Sequence, residues 1–269
     1  MDELEGHNAV VTGAGSGIGR GLCTVLADAG ARVVAADVDA DAAAATAASV
    51  DGRAFTVDVR DPSSVDALAD VAFARGPVDA LFLNAGVFAG GWLWESTPEE
   101  WDWALGVNVL GIVNGIRAFV PRMRAQHSDA HVVITASLAG IVTAPMSGVY
   151  CTTKFAAVAL AECLHHDLSI QEDNRIAVSV VVPSAVRTAI AEPRGRAAAQ
   201  ERESAAIVRS ALADATAHGL DPLDAARRIV DGVLAGDFYV PTGPTFDTLV
   251  RAHDATRLAR RPPELLMYD

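Results

Sequence analysis

Thr12-Gly13-Ala14-Gly15-Ser16-Gly17-Ile18-Gly19 is the stretch on which the fold turns. A short β-branched run, Asn8–Thr12, stands directly before it, and a helical pattern follows. Glycines at 13, 17 and 19 allow a tight turn, close approach of backbone to a pyrophosphate, and tight helix–strand contact. With Ser16 and Ile18 between them, the next helix offers its free N–H groups and positive dipole end to phosphate. Glycines alone would also suit an ordinary turn. The context is decisive: a strand ahead, a helix behind, and Asp37 at the end of the next β-branched run. That acid lies about 20 residues past the turn, where a carboxylate accepts hydrogen bonds from adenosine ribose hydroxyls. It would repel a 2′-phosphate, and Arg20 in the helix body and Arg32 at a strand start are poorly placed to hold one. The cofactor expected is NAD rather than NADP.

The same alternation continues outward. β-Branched runs fall at Asn8–Thr12, Arg32–Asp37, residues 54–58, 80–84 and 131–136, Ile176–Val182, and more weakly 238–241. Ala-rich helical stretches separate them, as in a parallel sheet covered on both faces. Apolar centres in the first six predict strands buried on both faces. The expected architecture is α/β, one Rossmann-type doubly wound parallel sheet of seven strands in a single domain spanning 1–269. Asp61-Pro62 and Thr97-Pro98 place a capping side chain before proline, and Glu100 completes a capping box with Thr97. Two long helices are expected over 98–126 and 148–171, and a last one over 245–260. Residues 187–219 break the rhythm, which suits a substrate lid or an exposed helix pair. The chain then closes on Pro262-Pro263 and an apolar tail, Leu265-Leu266-Met267-Tyr268.

Composition excludes several classes. The net charge is −13 with no clustered basic face, so no nucleic-acid partner is expected. No run of ~20 consecutive apolar residues suggests a membrane span. The acidic start, Met1 to Gly6, lacks the basic region of an export signal. Cys23, Cys151 and Cys163 form no metal-ligand or Cys-x-x-Cys spacing and read as small buried helix residues. A reducing, cytoplasmic setting fits them. The seven histidines show no metal spacing, and His165-His166 reads as helix surface; no metal is assigned.

Leu83-Asn84-Ala85-Gly86 follows the fourth strand, Asn108 lies in the first long helix, and Ser137 precedes Tyr150-Cys151-Thr152-Thr153-Lys154. With the glycine turn, these motifs occur in the order and at the spacing of the short-chain dehydrogenase/reductase family, which the sequence resembles from near residue 6 to about residue 243. Two positions depart from the family pattern. Leu83 replaces an asparagine that braces the sheet centre, and Ser184, after Pro183, replaces a glycine beside the expected nicotinamide site.

Tyr150 and Lys154 at i and i+4 share one helix face. An isolated tyrosine, with a pKa near 10, is a poor base at neutral pH. A nearby ammonium and the positive ring of oxidised nicotinamide favour the phenolate, and a lowering of ~2–3 units is expected. Tyr150 would then take the alcohol proton as hydride leaves.

The resemblance implies further roles. Lys154 would also bind the nicotinamide ribose, Ser137 the substrate oxygen, and Asn108 a water leading from Lys154 to solvent. Asn84, Ala85 and Gly86 would line the cofactor cleft, Asp58 and Val59 would meet the adenine, and Pro183, Val186 and Thr188 the nicotinamide end. Substrate side chains in the family come from the regions after Gly86, between Ser137 and Tyr150, and after Pro183. Here these contribute Phe88, Trp92, Trp94, Leu138, Ile141, Val142, Met146, Val186 and Ile190, with Tyr150 and Ser137 at the centre. An apolar secondary alcohol or its ketone is expected, aromatic ones included. Residues 189–218 also resemble, diffusely, the lid of Cα-dehydrogenases acting on aryl-ether alcohols. Two other readings stand beside this one: an NADPH-dependent carbonyl reductase, and a non-catalytic dinucleotide-binding protein. Homo-oligomers, dimer or tetramer, are the family habit, commonly burying the two long helices.

Overall fold

A computed structural model describes residues 4–172, 175–192 and 202–264. Part of the expected lid, 193–201, and the tail 265–268 lie outside the described residues. The sheet has seven parallel strands: β1 Asn8–Thr12, β2 Arg32–Asp37, β3 Arg53–Thr56, β4 Ala80–Leu83, β5 Ala130–Thr135, β6 Ile176–Val182 and β7 Tyr239–Pro241, in the order β3-β2-β1-β4-β5-β6-β7. The winding reverses between β1 and β4, so a crevice opens there beyond the carboxyl ends of the strands.

Strand alternation sends side chains into two cores. Val10, Leu81, Val132, Ile134 and Val180 pack on one face; Val11, Phe82, Val133 and Val181 pack on the other. The first face carries α3 (Pro62–Phe73), α5 (Gly111–Ala125) and α6 (Gly148–Ile170). The second carries α1 (Gly17–Asp28), α2 (Ala40–Ser49) and α8 (Pro222–Leu234). Both proline-led starts form as expected, Asp61 capping α3 and Thr97 with Glu100 building the full capping box of α4 (Pro98–Leu105).

Three expectations are corrected. β3 is an edge strand with Arg53, Ala54 and Thr56 exposed, so its apolar letters do not mean two-sided burial. The long helix over 98–126 is interrupted: residues Gly106–Leu110 form a π-turn between α4 and α5, closed by Gly111 N–H donating to Gly106 C=O. The whole rod, Pro98–Ala125, is long and apolar enough by length and composition to cross a bilayer. Of its most apolar window 56% is buried inside the fold, as in a core helix. Finally, Cys163 is exposed on α6, whereas Cys23 and Cys151 are buried.

Residues 187–219 leave and rejoin the body at one point. Leu220 N–H donates to Ala185 C=O at 3.0 Å and Arg187 N–H to Leu220 C=O at 2.9 Å. Between these ends runs α7 (Glu203–Ala217). The last helix, α9 (Phe246–Leu258), packs Phe246 and Leu249 against Leu138, Val142 and Val182.

Candidate active site

A cavity of about 410 Å³ opens at the crevice beside β1 and β4. Gly13, Ser16, Gly17, Ile18 and Gly19 line one end, with Asp37; Asn84, Gly86, Ser137, Tyr150, Lys154, Pro183, Val186 and Thr188 line the rest. The glycine turn is bare backbone where it meets its neighbours. A Cβ at Gly13 (φ +68°) would stand 2.8 Å from Ala85 Cα, and one at Gly17 (φ +53°) 2.8 Å from Thr188 Cγ2. Asp37 closes the turn: Gly15 N–H donates to its Oδ2 at 2.8 Å and Asp39 N–H to its Oδ1 at 3.0 Å. Arg20 and Arg32 are both engaged elsewhere, Arg20 with Gly15 C=O and Thr46, Arg32 with Gly6 C=O.

Behind the turn lies a polar brace. Thr12 Oγ1 accepts from Asn84 N–H (3.0 Å) and Ala85 N–H (3.2 Å), while Asn84 Nδ2 donates to Thr12 C=O (3.1 Å). Thr135 Oγ1 donates to Asn84 Oδ1 at 3.2 Å. Leu83 takes no part. It is buried in the core, and a Cβ at Gly115 would come 2.3 Å from its Cδ2. The residue that departs from the family pattern therefore fills a notch on α5 instead of hydrogen-bonding. Ser184, the other departure, lines the cavity and turns its hydroxyl toward Gly243, where a Cβ would lie 2.3 Å away.

Lys154 is 2% exposed and its ammonium donates to Thr135 C=O at 3.0 Å. The same ammonium lies 5.7 Å from the centre of the Tyr150 ring. Ser137 caps its own turn, accepting from Ala139 N–H. Gly140 lets that turn rest on α6, since a Cβ there would be 2.5 Å from Lys154 C=O. Burial pushes Tyr150 up to about 12, with the Ser137 hydroxyl pulling the other way. Burial also pulls Lys154 down to about 8. The protein's own effect on Tyr150 is thus opposite to the lowering expected from the sequence. Loss of water disfavours the charged form of each group.

Asn108 is fully buried within the π-turn, which turns its side chain inward. Its amide is committed at both ends. Oδ1 accepts from Val87 N–H at 2.8 Å, and Nδ2 donates to Val87 C=O and to Thr153 Oγ1, each at 2.9 Å. The side chain therefore braces the segment after Gly86 against α6. The flanking glycines carried the signal: at Gly111 a Cβ would meet Val59 Cγ2 at 2.8 Å.

Several expected residues lie off the cavity wall. Asp58 pairs with Arg60 at 2.6 Å, which holds its carboxyl below the usual range. Val59 is buried under α5, its carbonyl accepting from Asn114 at 2.8 Å, and Ala85 sits beneath Gly13. Trp92 and Trp94 stack on each other at 5.1 Å with Trp94 80% exposed, outside the cavity lining. Val142 is buried in the cluster with Leu138 and Val182. Met146 contributes its carbonyl to Gly91 N–H, while its neighbours Pro145 and Ser147 reach the cavity. In their place the cavity has Trp103 from α4 and Val208, Ala211, Leu212 and Ala215 from α7. The last four recur at i, i+3, i+4 and i+7, an apolar stripe legible in a stretch that sequence alone left open between lid and exposed helices.

A family model described as short chain dehydrogenase matches residues 7–199. The chain belongs to the short-chain dehydrogenase/reductase family. Within it, the chain is 32% identical over 251 residues to the C alpha-dehydrogenase of Sphingobium sp. strain SYK-6, covering 89% of this chain and 81% of that protein. It is 40% identical over 204 residues to the 1-deoxy-11-beta-hydroxypentalenate dehydrogenase of Streptomyces exfoliatus, covering 71% and 73%. The crystal structure of a short-chain dehydrogenase/reductase from Burkholderia phymatum in complex with NAD superposes with a TM-score of 0.93 at 38% identity, covering 99% of each chain. As a short-chain dehydrogenase/reductase, the chain is an oxidoreductase of a family that binds a nicotinamide dinucleotide.

Proposed function

We propose that this enzyme moves hydride between NAD(H) and an apolar secondary alcohol or its ketone, with Tyr150 transferring the proton. The observation that carries the reading is the sharing of one cavity by Ser137, Tyr150, Lys154 and the bare glycine turn, with Phe88, Trp103, Ile190, Val208 and Leu212 giving it apolar surface beside polar groups such as Asn84, Thr188 and Glu192. The residues fit a dinucleotide: backbone surface at Gly13 and Gly17 suits a diphosphate, and the Asp37 carboxylate beside it suits ribose hydroxyls. Asp37 favours NAD over NADP, and the engagement of Arg20 and Arg32 leaves neither aimed at a 2′-phosphate. The NAD complex of the B. phymatum relative supports the same choice.

When bound, the nicotinamide supplies the hydride acceptor or donor. The chain does the rest. Ser137 donates a hydrogen bond to the substrate oxygen and offsets charge developing there. Tyr150 is neutral through the physiological range in the chain alone, so it is poised to donate a proton to a ketone oxygen. In the oxidative direction it must first lose that proton, and the positive nicotinamide ring would lower its pKa in the complex. Lys154, anchored on Thr135 C=O, fixes the ammonium beside the ring and would hold the nicotinamide ribose. We further place the enzyme in the reducing cytoplasm as a homo-oligomer, without a nucleic-acid or membrane partner.

Titration of the chain with both dinucleotides tests the cofactor reading. NAD(H) should bind more tightly, and Asp37→Ala should narrow the difference by roughly tenfold or more. Tighter binding of NADP(H) by the unaltered chain overturns it and favours the carbonyl-reductase reading.

A further inference from the structure

The ring of Phe88 lies 5.1 Å from that of Tyr150, with the planes inclined at 55°. Both rings line the cavity. A group attached directly to the carbon that reacts at Tyr150 is therefore within reach of Phe88. Gly90 accounts for the position of that ring. A Cβ at residue 90 would come 2.7 Å from Phe88 Cζ and 2.8 Å from Val208 Cγ1 on α7. Gly90 is not in the left-handed region, so the missing side chain supplies space rather than conformation. Phe88 and the lid helix close over one point.

The lining contributed by α4 and α7 is mostly apolar. Trp103 and Leu212 bring apolar surface. Two of the lining hydroxyls donate to nearby backbone, Thr216 Oγ1 to Leu212 C=O at 2.8 Å and Ser147 Oγ to Pro145 C=O at 3.3 Å. An aromatic ring meeting Phe88 gains edge-to-face or offset stacking beyond its area burial, which a saturated ring does not.

We infer that Phe88 is a specificity-determining residue, selecting a carbinol or ketone whose reacting carbon bears an aromatic ring directly, with Gly90 setting the position of the Phe88 ring. The inference rests on the reading of the cavity as an alcohol site.

The experiment compares kcat/KM for a phenyl carbinol and its cyclohexyl counterpart, with NAD, in the full chain and in Phe88→Leu, Phe88→Tyr and Gly90→Ala. The unaltered chain should prefer the phenyl compound by about fivefold or more, the factor expected of one aromatic pair. Phe88→Leu should remove that preference, and Phe88→Tyr should keep it. Gly90→Ala, which drives the ring into the cavity, should depress the thicker cyclohexyl substrate more. NAD affinity, read by fluorescence, shows that each variant is folded. An unchanged phenyl-to-cyclohexyl ratio in Phe88→Leu overturns this inference alone. Turnover of neither carbinol by an unaltered chain that binds NAD overturns the alcohol-site reading and this inference with it.

Discussion

Arg202, at the foot of α7, donates from Nη2 to both carboxylate oxygens of Glu100, at 2.5 and 2.6 Å. Glu100 is also the N3 residue of the α4 capping box, accepting from Thr97 N–H at 2.9 Å. One carboxylate thus ties the lid helix to the helix that carries Trp103. Ser204 adds a second tie, donating to Glu95 at 2.6 Å. Glutamine serves a capping box as well as glutamate, so Glu100→Gln removes the ion pair and leaves α4 capped. The pair is largely buried, and its loss should reduce stability by about 1–2 kcal/mol. The alcohol KM should rise several-fold while NAD affinity holds. Chemical denaturation and steady-state kinetics check this, and a double-mutant cycle with Arg202→Met should show that the two losses are not additive.

Lys154 is held charged in a site that disfavours charge. Its folded pKa, about 8, lies below the ordinary lysine value of 10.5. Below pH 8 the unfolded chain therefore binds the proton more tightly, at a cost to folding of about 3 kcal/mol. That cost fades as pH rises from 8 toward 10.5. Lys154→Met keeps the volume and removes the charge, so the variant should melt higher than the parent at pH 7, by several degrees. The gain should shrink above pH 8. Dehydrogenase activity should be lost at every pH. Calorimetry of both proteins across pH 6–9 gives the sign directly, and a variant that melts lower at pH 7 contradicts it.

His131 predicts the acid limit of the fold. It is 4% exposed on β5 and its Nε2 meets Ser179 Oγ at 2.8 Å; that hydroxyl donates to Asp237 C=O. Burial pulls its pKa down to about 4. Stability from keeping it neutral is fully present above about pH 6.5 and is lost as pH falls toward 4, amounting to about 3 kcal/mol. Urea unfolding at pH 7 and pH 4.5 should show that loss in the parent and a smaller one in His131→Gln.

The parts legible in the sequence are those fixed by short spacing. The glycine turn, Asp37 at the strand end, Tyr150 with Lys154 on one helix face, and the cap at Thr97 all depend on neighbours within a few residues. Each of these lies where the sequence placed it. What escaped depends on packing between distant segments. Trp103 lines the cavity while Trp92 and Trp94 do not, and nothing local to those residues distinguishes them. The inward turn of Asn108 depends on a π-turn packed against Val59, which the two flanking glycines only hint at. The phenol's pKa in the chain alone depends on packing as well: the i, i+4 pair is visible in the sequence, but the loss of water that raises Tyr150 is not. β3 reads as a core strand by its letters and is an edge strand because no later strand pairs beyond it.

The pH dependence of the two reaction directions follows from the raised pKa of the Tyr150 phenol. Reduction uses neutral Tyr150 beside protonated Lys154 and should hold a nearly constant kcat/KM from pH 6 to 7.5. Oxidation needs the phenolate and should rise with pH across the same range. Stopped-flow hydride transfer in both directions checks the contrast, and parallel profiles would remove Tyr150 as the titrating group.

The most direct measurement is NADH formation from an apolar secondary alcohol by the unaltered chain and by Tyr150→Phe, with NAD affinity measured on both. Loss of a positioned proton-transfer group should lower kcat by about 10²–10⁴. NAD binding should be little changed, and the rise of rate with pH should disappear. Equal rates in the two proteins, under conditions where both bind NAD, would contradict the assignment of Tyr150 as the residue that moves the proton.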